Sequence, residues 1–496
     1  MKRKSNHPDW ALEHKRTGTE LKLINGRYYL YAVKSVYDSS LKRSKKVSLG
    51  ILGSITQEKG FTPSPKTELR IRGEKPFGNK EVFAYEYGLS KWLLGVLENN
   101  GDLRELKKHF PALWQFIIVM VFCRIGYKSP LKNIRFYAEQ SDLPHLLGWA
   151  EALNDQKTSD LMFELGSKQQ TIHSFLKPKD TSHKTVLMDA TDVVLQSGHI
   201  GLSQKGYNSD MNFQPQFVLL YMYSASTLEP LYYRLLPGNI REVSAMQNTI
   251  RISGLEQCVY IADKGFFSEA NLSELERLEM SYIIPLKRDN PLIPYDLLKD
   301  IEQSDNYFEF AKRFVFYADP IAQNNRHISL FLDGKLKEQE KNDYLARIRS
   351  LPESYSKPTF NQKVRAMGTL AIMHNVGLGP KEVYLEYKGR GEIEQFFDHF
   401  KNTLDADSSY MQREESLNGW MFINHLSMKI IYTIYLKLKT TPLNKKQSLN
   451  HKYSINDVIE HLKGIKKIKF SPNDSVIAEM NKSTKTLLAK MKIPIT

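Results

Sequence analysis

The sequence predicts a mixed α/β fold, and three patterns along the chain indicate it. Between residues 184 and 286, apolar runs and helical segments follow one another in the order β-β-β-α-β-α-β, which is typical of a mixed sheet covered by helices. Residues 80–180 carry apolar side chains at a spacing of three to four, the period of an α-helix. In residues 290–375 aromatic residues alternate or cluster, so a β-rich insertion is predicted there.

The individual elements are predicted from these runs. Five strands are expected at 184–195, 216–225, 230–238, 258–263 and 281–286, with helices at 241–254 and 268–279. Two long helical tracts follow at 381–406 and 416–439. The predicted organisation is a basic β unit at 1–60, a helical domain at 80–180, a core at 181–289 and 376–440, the insertion at 290–375 and a basic C-terminal region at 441–496.

Positive charge is concentrated near the two ends of the chain. The 496 residues carry a net charge of +15, and residues 1–46 hold 12 Lys/Arg against 4 Asp/Glu. Residues 437–469 hold 9 Lys against 2 Asp/Glu, so these two windows account for the whole excess. Basic ends on a neutral body indicate a polyanion partner, nucleic acid before membrane, although solvated Lys-rich ends explain the charge equally well.

The N-terminal β unit leaves the same two interpretations open. Strands are predicted at 27–37 and 47–53, joined by a basic turn at 38–46. Such a hairpin could contact DNA, and it could equally be a solvated turn.

Several classes of protein are excluded by composition. Two cysteines, Cys123 and Cys258, are too few for a disulfide framework or a Cys-rich zinc site. The longest apolar stretch, at 112–123, is too short to span a bilayer and is interrupted by Gln115. No apolar segment follows the basic N-terminus as in a signal peptide. A soluble, cytoplasmic protein without a membrane partner is therefore expected.

Two acidic residues follow predicted buried strands. Asp189 ends the run 186–188, and Asp263 ends the run 259–262. A carboxylate just beyond a buried strand is held at the carboxyl edge of the sheet, where sites form in open α/β folds. Two such carboxylates can share hard divalent cations such as Mg²⁺. For either Asp alone, a turn or cap role is the simpler interpretation.

A third acid lies on a polar stripe of the helix predicted at 380–402. At about 100° per residue, four polar residues fall within an arc of about 60°: Tyr387, Arg390, Glu394 and Lys401. The other side carries Ile393, Phe396, Phe397 and Phe400 and is predicted to be buried. Asp398 also lies on the stripe. For an arbitrary helix, a solvated charged face would explain such a stripe.

The spacing of these four residues resembles a known signature. Y-x2-R-x3-E-x6-K marks prokaryotic DDE transposases of the insertion-sequence-four superfamily. The companion segments of that family occur in order, as D-x-T at Asp189–Thr191, P-G-N at 237–239 and A-D-[KR]-G-[FY] at Ala262–Phe266. The resemblance covers roughly 180–440, whereas 1–180 and 440–496 are interpreted from composition and pattern alone.

The resemblance implies an RNase H-like core whose β-rich insertion lies between the second and third acids. Asp189, Asp263 and Glu394 would be the catalytic triad and would bind Mg²⁺, for which Mn²⁺ can substitute. Asp192 competes with Asp189 as the first ligand, but Asp189 follows the apolar run directly and matches D-x-T. Asp398 could lie behind the triad as a supporting residue.

The other three signature residues would contact DNA phosphates near the cleaved end. Arg390 suits this role by its bidentate geometry and Lys401 as a point charge. Tyr387 could instead be a tyrosine that packs the helix. Some relatives cut the second strand through a DNA hairpin and hold a flipped base with an aromatic residue of the insertion, often Trp. No Trp occurs between 150 and 419, and the sequence leaves a hairpin step open. Four other aromatic residues could hold the base, but they are rather expected in the core of the insertion: Tyr307, Phe308, Phe314 and Phe316.

The implied activity is DNA transposition. Two metal ions would clamp the attacking and leaving oxygens of an in-line displacement at the terminal inverted repeats of an insertion sequence. The freed 3′-hydroxyl ends would then be joined to target DNA. Two DNA ends must meet, so at least a dimer on DNA is expected, in a prokaryotic, nucleoid-associated protein.

Two other functions stay open. One is a transposase-derived DNA-binding protein that no longer cuts, which an intact triad and stripe argue against. The other is an RNase H-like nuclease without strand transfer, which the basic ends argue against. Phosphate-loop chemistry is unsupported, because no G-x4-G-K-[ST] motif occurs.

Overall fold

The structure is a computed structural model of the 496-residue chain. It describes residues 7–38, 43–64, 67, 82–149, 151–178, 185–206, 214–239, 242–255, 258–323, 325–471 and 474–494. The chain divides into two compact units, one formed by 1–83 with 468–476 and the other by 84–467 with 477–496. No helix within the described residues is long and apolar enough to cross a membrane.

The first unit contains a four-stranded antiparallel sheet. Its elements are helix α1 (Asp9–Leu12) and strands β1 (Thr19–Ile24), β2 (Arg27–Asp38), β3 (Arg43–Thr56) and β4 (Gly60–Pro63), with the strands in sequence order. A small core is formed by Ala11, Leu21, Leu30 and Ile55. The predicted strand pair is confirmed, but the predicted turn at 38–46 is too long, because pairing continues out to Asp38 and Arg43. Residues 39–42 lie outside the described residues.

The second unit begins with helices, as the apolar period predicts. They are α2 (Gly88–Asn99), α3 (Asp102–His109), α4 (Trp114–Tyr127), α5 (Ile134–Glu139), α6 (Leu143–Leu147), α7 (Asp155–Ser167) and α8 (Gln169–Leu176). A short strand, β5 (Phe83–Glu86), precedes them. Helix α4 is apolar on nearly every side and is buried along most of its length, which explains why the longest apolar stretch of the chain lies there.

The five predicted strands and two predicted helices occur in the predicted order, with one additional two-residue strand after the first. The elements are β6 (Thr185–Leu195), the two-residue β7 (Gln204–Lys205), β8 (Pro215–Ser224), β9 (Glu229–Pro237), α9 (Glu242–Ser253), β10 (Val259–Ala262), α10 (Glu269–Arg277) and β11 (Ser281–Pro285). Strand β10 is parallel to both β6 and β11, whereas β8 is antiparallel to β6 and to β9. The sheet is therefore mixed, and the α/β fold class is confirmed.

The segment predicted as a β-rich insertion continues this sheet. It contains β12 (Tyr307–Phe310), β13 (Arg313–Gln323), β14 (Arg326–Asp333), α11 (Gly334–Ser350), α12 (Lys357–Lys363) and β15 (Thr369–His374). Strand β15 pairs with β11, so the order runs β12-β13-β14-β15-β11-β10-β6-β8-β7 within the described residues. The expected aromatic core holds for Phe308, which is buried, and Phe316 is partly buried. It is wrong for Tyr307 on the edge strand β12 and for Phe314 on β13, which are half-exposed.

The helix predicted over 380–402 is interrupted. The observed segments are α13 (Pro380–Lys388), α14 (Gly391–Asp398) and a π-helical turn at His399–Thr403. Residues Gly389 and Arg390 form a turn between the two α-helices. Two glycines that flank one residue weaken a helix at that point, which the period alone does not reveal. The prediction of one continuous helix is therefore wrong, but Arg390 and Glu394 still pair across one turn, and Tyr387 interacts with Arg390.

The long helix α15 (Glu414–Thr440) passes behind the sheet and is buried along most of its length. The two-residue strand β16 (Ser408–Ser409), which pairs with β6, precedes it. The remaining elements are α16 (Ile455–Lys463), β17 (Lys466–Ser471), β18 (Asp474–Ile477) and α17 (Lys482–Lys490). Short 3₁₀ helices occur at Leu131–Asn133, Lys264–Phe266, Tyr295–Leu298, Ile301–Gln303, Val364–Ala366 and Leu449–His451. The helix predicted at 416–439 is confirmed.

Candidate active site

Two aspartates lie side by side where parallel pairing of the sheet stops. Strands β6 and β10 pair up to Met188 and Ala262, so Asp189 and Asp263 are the next residue on each strand. Asp263 follows the end of β10, as predicted. Asp189 does not end its strand, because β6 continues to Leu195 through its pairing with β8. Asp189 is instead the first residue of β6 that no longer pairs with β10.

Helix α14 carries the third carboxylate and is fixed from two directions. Its apolar side chains Ile393, Phe396, Phe397 and, in the next turn, Phe400 are buried, as predicted. The Phe396 ring packs against the ring of Tyr221 on β8, with centroids 4.5 Å apart. From α15, the Tyr435 hydroxyl donates to Oε1 of Gln395 at 2.5 Å. This packing leaves Glu394 on the opposite side of α14, where 61% of its side chain is exposed.

Arg390 joins the three carboxylates. Its Nη2 donates to Oδ2 of Asp189 at 2.7 Å, and its Nη1 donates to Oε1 of Glu394 at 2.6 Å. The same Nη1 lies 3.8 Å from Oδ1 of Asp263. One guanidinium group, only 14% exposed, thus contacts acids from β6, from the loop after β10 and from α14. The structure therefore brings the predicted triad together, with a signature cation at its centre.

Burial and charge act in opposite directions on these groups. Burial raises the pKa of Asp189, and the positive charge of Arg390 opposes that rise without cancelling it. Burial would lower the pKa of Arg390, but the charges of Asp189, Asp263 and Glu394 outweigh it and raise this pKa. Arg390 is therefore a cation at neutral pH. Its Nε atom is buried and has no hydrogen-bond partner among the described residues.

The other two signature residues are placed differently. Tyr387 lies beside Arg390 on the last turn of α13, and burial raises the pKa of its hydroxyl. Lys401 lies in the π-helical turn and forms no ion pair with a described residue. Lys401 therefore takes no part in the ion-pair cluster that Arg390 forms with the three acids.

The competing acids do not join the triad. Asp192 follows Asp189 by three positions on β6, and side chains of a strand alternate between its faces, so the two carboxylates point to opposite sides. Asp192 accepts a hydrogen bond from Nε2 of Gln216 at 3.1 Å. Asp398 is exposed and accepts from Nδ2 of Asn402 at 2.6 Å, one turn along its own helix.

The donor set is of the kind that Mg²⁺ prefers, since three carboxylates supply hard oxygen ligands. The arrangement, however, is not a metal site. Within the described parts of the chain, no group of three or more His, Cys, Asp or Glu residues is placed so that it could hold a metal ion. The guanidinium of Arg390 contacts all three acids instead. In this arrangement the guanidinium of Arg390 occupies the carboxylate oxygens that a divalent ion would need, so such an ion would require Arg390 to move.

Sequence reasoning did not predict that Arg390 contacts the acids. The signal was present, because Arg390 and Glu394 are four residues apart, a spacing at which opposite charges pair on a helix. A cavity of about 450 Å³ beside Tyr387 was not predicted either. Three cationic side chains line it, Arg288, Arg313 and Lys388, and they come from separate elements that only the fold brings together.

Comparisons with known proteins place the chain in a family. No curated protein matches the sequence. The match to the solved piggyBac transposase synaptic complex with hairpin DNA covers 70% of this chain and 69% of the piggyBac chain, with 9% sequence identity and a TM-score of 0.37. The match to the Mos1 transposase paired-end complex with the left transposon end covers 37% of this chain and 57% of the Mos1 chain, with 16% sequence identity and a TM-score of 0.15. The model of the transposase DDE domain matches residues 180–429. That domain accounts for half of the chain, and the protein therefore belongs to the family of DDE transposases.

Proposed function

We propose that this protein binds the terminal inverted repeats of an insertion sequence, cleaves DNA there and joins the 3′-hydroxyl ends to target DNA. The observation that carries the proposal is the meeting of three acids, in the chain order of a DDE triad, around one cation. The proposal includes an RNase H-like core at 181–289 and 376–440, with the insertion at 290–375. It also includes an origin in the prokaryotic insertion-sequence-four superfamily, on the Y-x2-R-x3-E-x6-K spacing.

Asp189, Asp263 and Glu394 are proposed to hold Mg²⁺, or Mn²⁺ in its place, once Arg390 has left them. A divalent ion bound there would lower the pKa of a bound water and stabilise a leaving oxygen. The residues of this chain position the three carboxylates. The rigid strands β6 and β10 hold two carboxylates in register, and the buried face of α14 holds the third.

DNA is proposed to be the partner throughout. Tyr387, Arg390 and Lys401 would contact phosphates near the cleaved end. The β2–β3 ribbon carries Lys34, Arg43, Lys45 and Lys46, and both of its strands are exposed in their outer halves. A two-stranded ribbon is narrow enough for the major groove. We further propose a dimer on paired ends and a cytoplasmic, nucleoid-associated location.

The test is a cleavage assay on labelled duplexes taken from the DNA that flanks the reading frame. Full-length protein with Mg²⁺ or Mn²⁺ should nick a terminal inverted repeat and transfer its 3′ end to a second duplex. Glu394→Gln should bind this DNA and fail to cut it. The matched control is Asp398→Asn, which neutralises an exposed acid of the same helix outside the triad and should cut normally.

The two alternatives give different results. Specific binding without cleavage in either metal would indicate a DNA-binding protein that no longer cuts. Cleavage of any duplex, without preference for the repeat and without joined products, would indicate a nuclease. Equal loss in Glu394→Gln and Asp398→Asn would show that the assay reports the stability of α14 rather than its chemistry.

A further inference from the structure

The position of Arg390 raises the question of what it does before DNA arrives. Its two Nη atoms lie 2.6 Å and 2.7 Å from oxygens of Glu394 and Asp189, and one of them is 3.8 Å from Asp263. These are the distances of direct ion pairs, in a group that is 14% exposed. A metal ion that used the same three acids would compete with this guanidinium for their oxygens.

The arrangement also leaves Arg390 incompletely satisfied. Its Nε is buried without a hydrogen-bond partner among the described residues, which is costly for a charged donor. Arg390 lies in the turn between α13 and α14, where its backbone N–H donates to the carbonyl of Tyr387 and its carbonyl accepts from the N–H of Ile393, each three residues away rather than four. A guanidinium fork binds phosphate as well as it binds carboxylate, through parallel N–H···O bonds.

We propose that Arg390 is a positioning residue that acts as an internal counter-cation of the DNA-free protein. It holds the three acids together and excludes a divalent ion from them. When DNA binds, the Arg390 guanidinium forms an ion pair with a DNA phosphate, and the three carboxylates are then free to bind a metal ion. This inference rests on the proposed function only for its DNA step, since the competition with metal is a property of the free protein.

The first test measures Mn²⁺ binding to full-length, DNA-free protein by titration calorimetry and by the electron paramagnetic resonance of free Mn²⁺. Arg390→Gln removes the competing charge and keeps a side chain of similar length. It should bind one or more Mn²⁺ ions more tightly than the unmodified protein, by roughly 5- to 150-fold, the usual range of coupling between two ligands. Arg390→Gln/Glu394→Gln should lose that gain, because one ligand is missing.

The matched control is Arg326→Gln. Arg326 also bridges carboxylates, contacting Glu269 at 2.6 Å and Glu276 at 2.7 Å, away from the triad. Its loss frees two acids, both on α10, and within the described residues they belong to no group of three or more metal-ligating residues, so Mn²⁺ affinity should not change. If Arg390→Gln binds Mn²⁺ no better than Arg326→Gln does, Arg390 does not compete with metal and the proposal is overturned.

A folding defect in the variant would not decide the question, so a second variant is included. Arg390→Lys keeps the charge but offers one ammonium group in place of a fork. It should remain folded, as judged by its thermal transition, and bind Mn²⁺ with an affinity between those of the unmodified protein and the Gln variant. An affinity for Mn²⁺ equal to that of the unmodified protein in both variants would refute the competition.

The second test adds DNA. Duplex should raise the Mn²⁺ affinity of the unmodified protein, and Mn²⁺ should raise its DNA affinity by the same factor, because coupling is reciprocal. In Arg390→Gln the factor should fall, since its acids are already free. A factor that stays the same in the variant would overturn the DNA step. Failure of DNA cleavage would refute the proposed function without affecting the DNA-free measurement.

Discussion

The close approach of two helices in the second unit gives a sharp prediction about stability. Gly166 near the end of α7 faces the first turn of α15. A Cβ atom added to Gly166 would lie 1.6 Å from the carbonyl oxygen of Glu415 and 2.6 Å from the backbone nitrogen of Gly419. Both are backbone atoms, which cannot rotate away as a side chain can. The substitution Gly166→Ala must therefore move the two helices apart.

The magnitude follows from these distances. An ordinary contact is near 3.5 Å, so the helices must separate by about 2 Å at this point. Overpacking a well-packed contact costs about 1–3 kcal/mol, and a clash with backbone belongs at the upper end. The unit has about 400 residues, and its unfolding entropy at about 2.1 cal/mol/K per residue converts 3 kcal/mol into a fall of about 3–4 °C in melting temperature.

The measurement is the thermal transition of the full-length chain, followed by circular dichroism. Gly95→Ala is the matched control, because Gly95 lies inside α2 and an added Cβ meets no atom within 4 Å. It should gain about 0.5–1 kcal/mol from the higher helix propensity of Ala, a rise of about 1 °C. Melting temperatures that rise equally in both variants would refute the close contact. Because α15 also holds α14 through Tyr435 and Gln395, Gly166→Ala should impair cleavage more than DNA binding.

Three further predictions concern the pH dependence of stability, the role of Asp189 and the role of residues 1–46. Burial raises the pKa of Glu86 from 4.5 to about 7, so its contribution to stability is complete below pH 4.5 and is lost as the pH rises through 7. Urea unfolding should show that the free energy of unfolding falls by up to about 3 kcal/mol across that window, and Glu86→Gln should lack this fall. An equal fall in the two proteins would contradict the prediction. Asp189→Asn should reduce cleavage by at least about 10³-fold, whereas Asp192→Asn, which points to the other face of β6, should cut within a few-fold of the unmodified protein; the reverse order would make Asp192 the first ligand. Deleting residues 1–46 should make the salt dependence of DNA binding shallower, by about 0.9 in log–log slope for each phosphate that these residues neutralise, and leave Mn²⁺ affinity unchanged. Equal slopes for the full-length and the shortened protein would show that residues 1–46 do not bind DNA.

Most secondary structure was predictable because its signals are local. The strands of the core are continuous apolar runs, and α15 follows a helical period over its whole length. The interruption between α13 and α14 was not predicted, since the apolar spacing of 381–406 continues through it. Only the pair of glycines at 389 and 391 marked the point where helix propensity falls. The segment 290–375 was predicted to contain strands, but pairing between β15 and β11 is a long-range contact with no local signature.

The triad combines local signals with long-range ones. The order of residues along the chain was enough to single out three acids that contact one guanidinium in the structure, because Asp189, Asp263 and Glu394 stand within segments whose residue types and spacing are specific. It was also enough to predict that α14 buries Ile393 and Phe396 and exposes Glu394, since that follows from the helical period. Folding was needed to bring Asp189, inside its strand, beside Asp263, because the register of β6 against β10 is fixed by pairing along both strands.

Folding likewise fixed the role that Arg390 has in the DNA-free chain. Its sequence position fits a phosphate ligand and an i,i+4 partner of Glu394 equally well. Which of these it is depends on whether carboxylates from β6 and from the end of β10 come within reach, and they come within 2.7 Å and 3.8 Å. Electrostatic partners are chosen by distance in space, and distances between elements far apart in the chain exist only once the chain has folded.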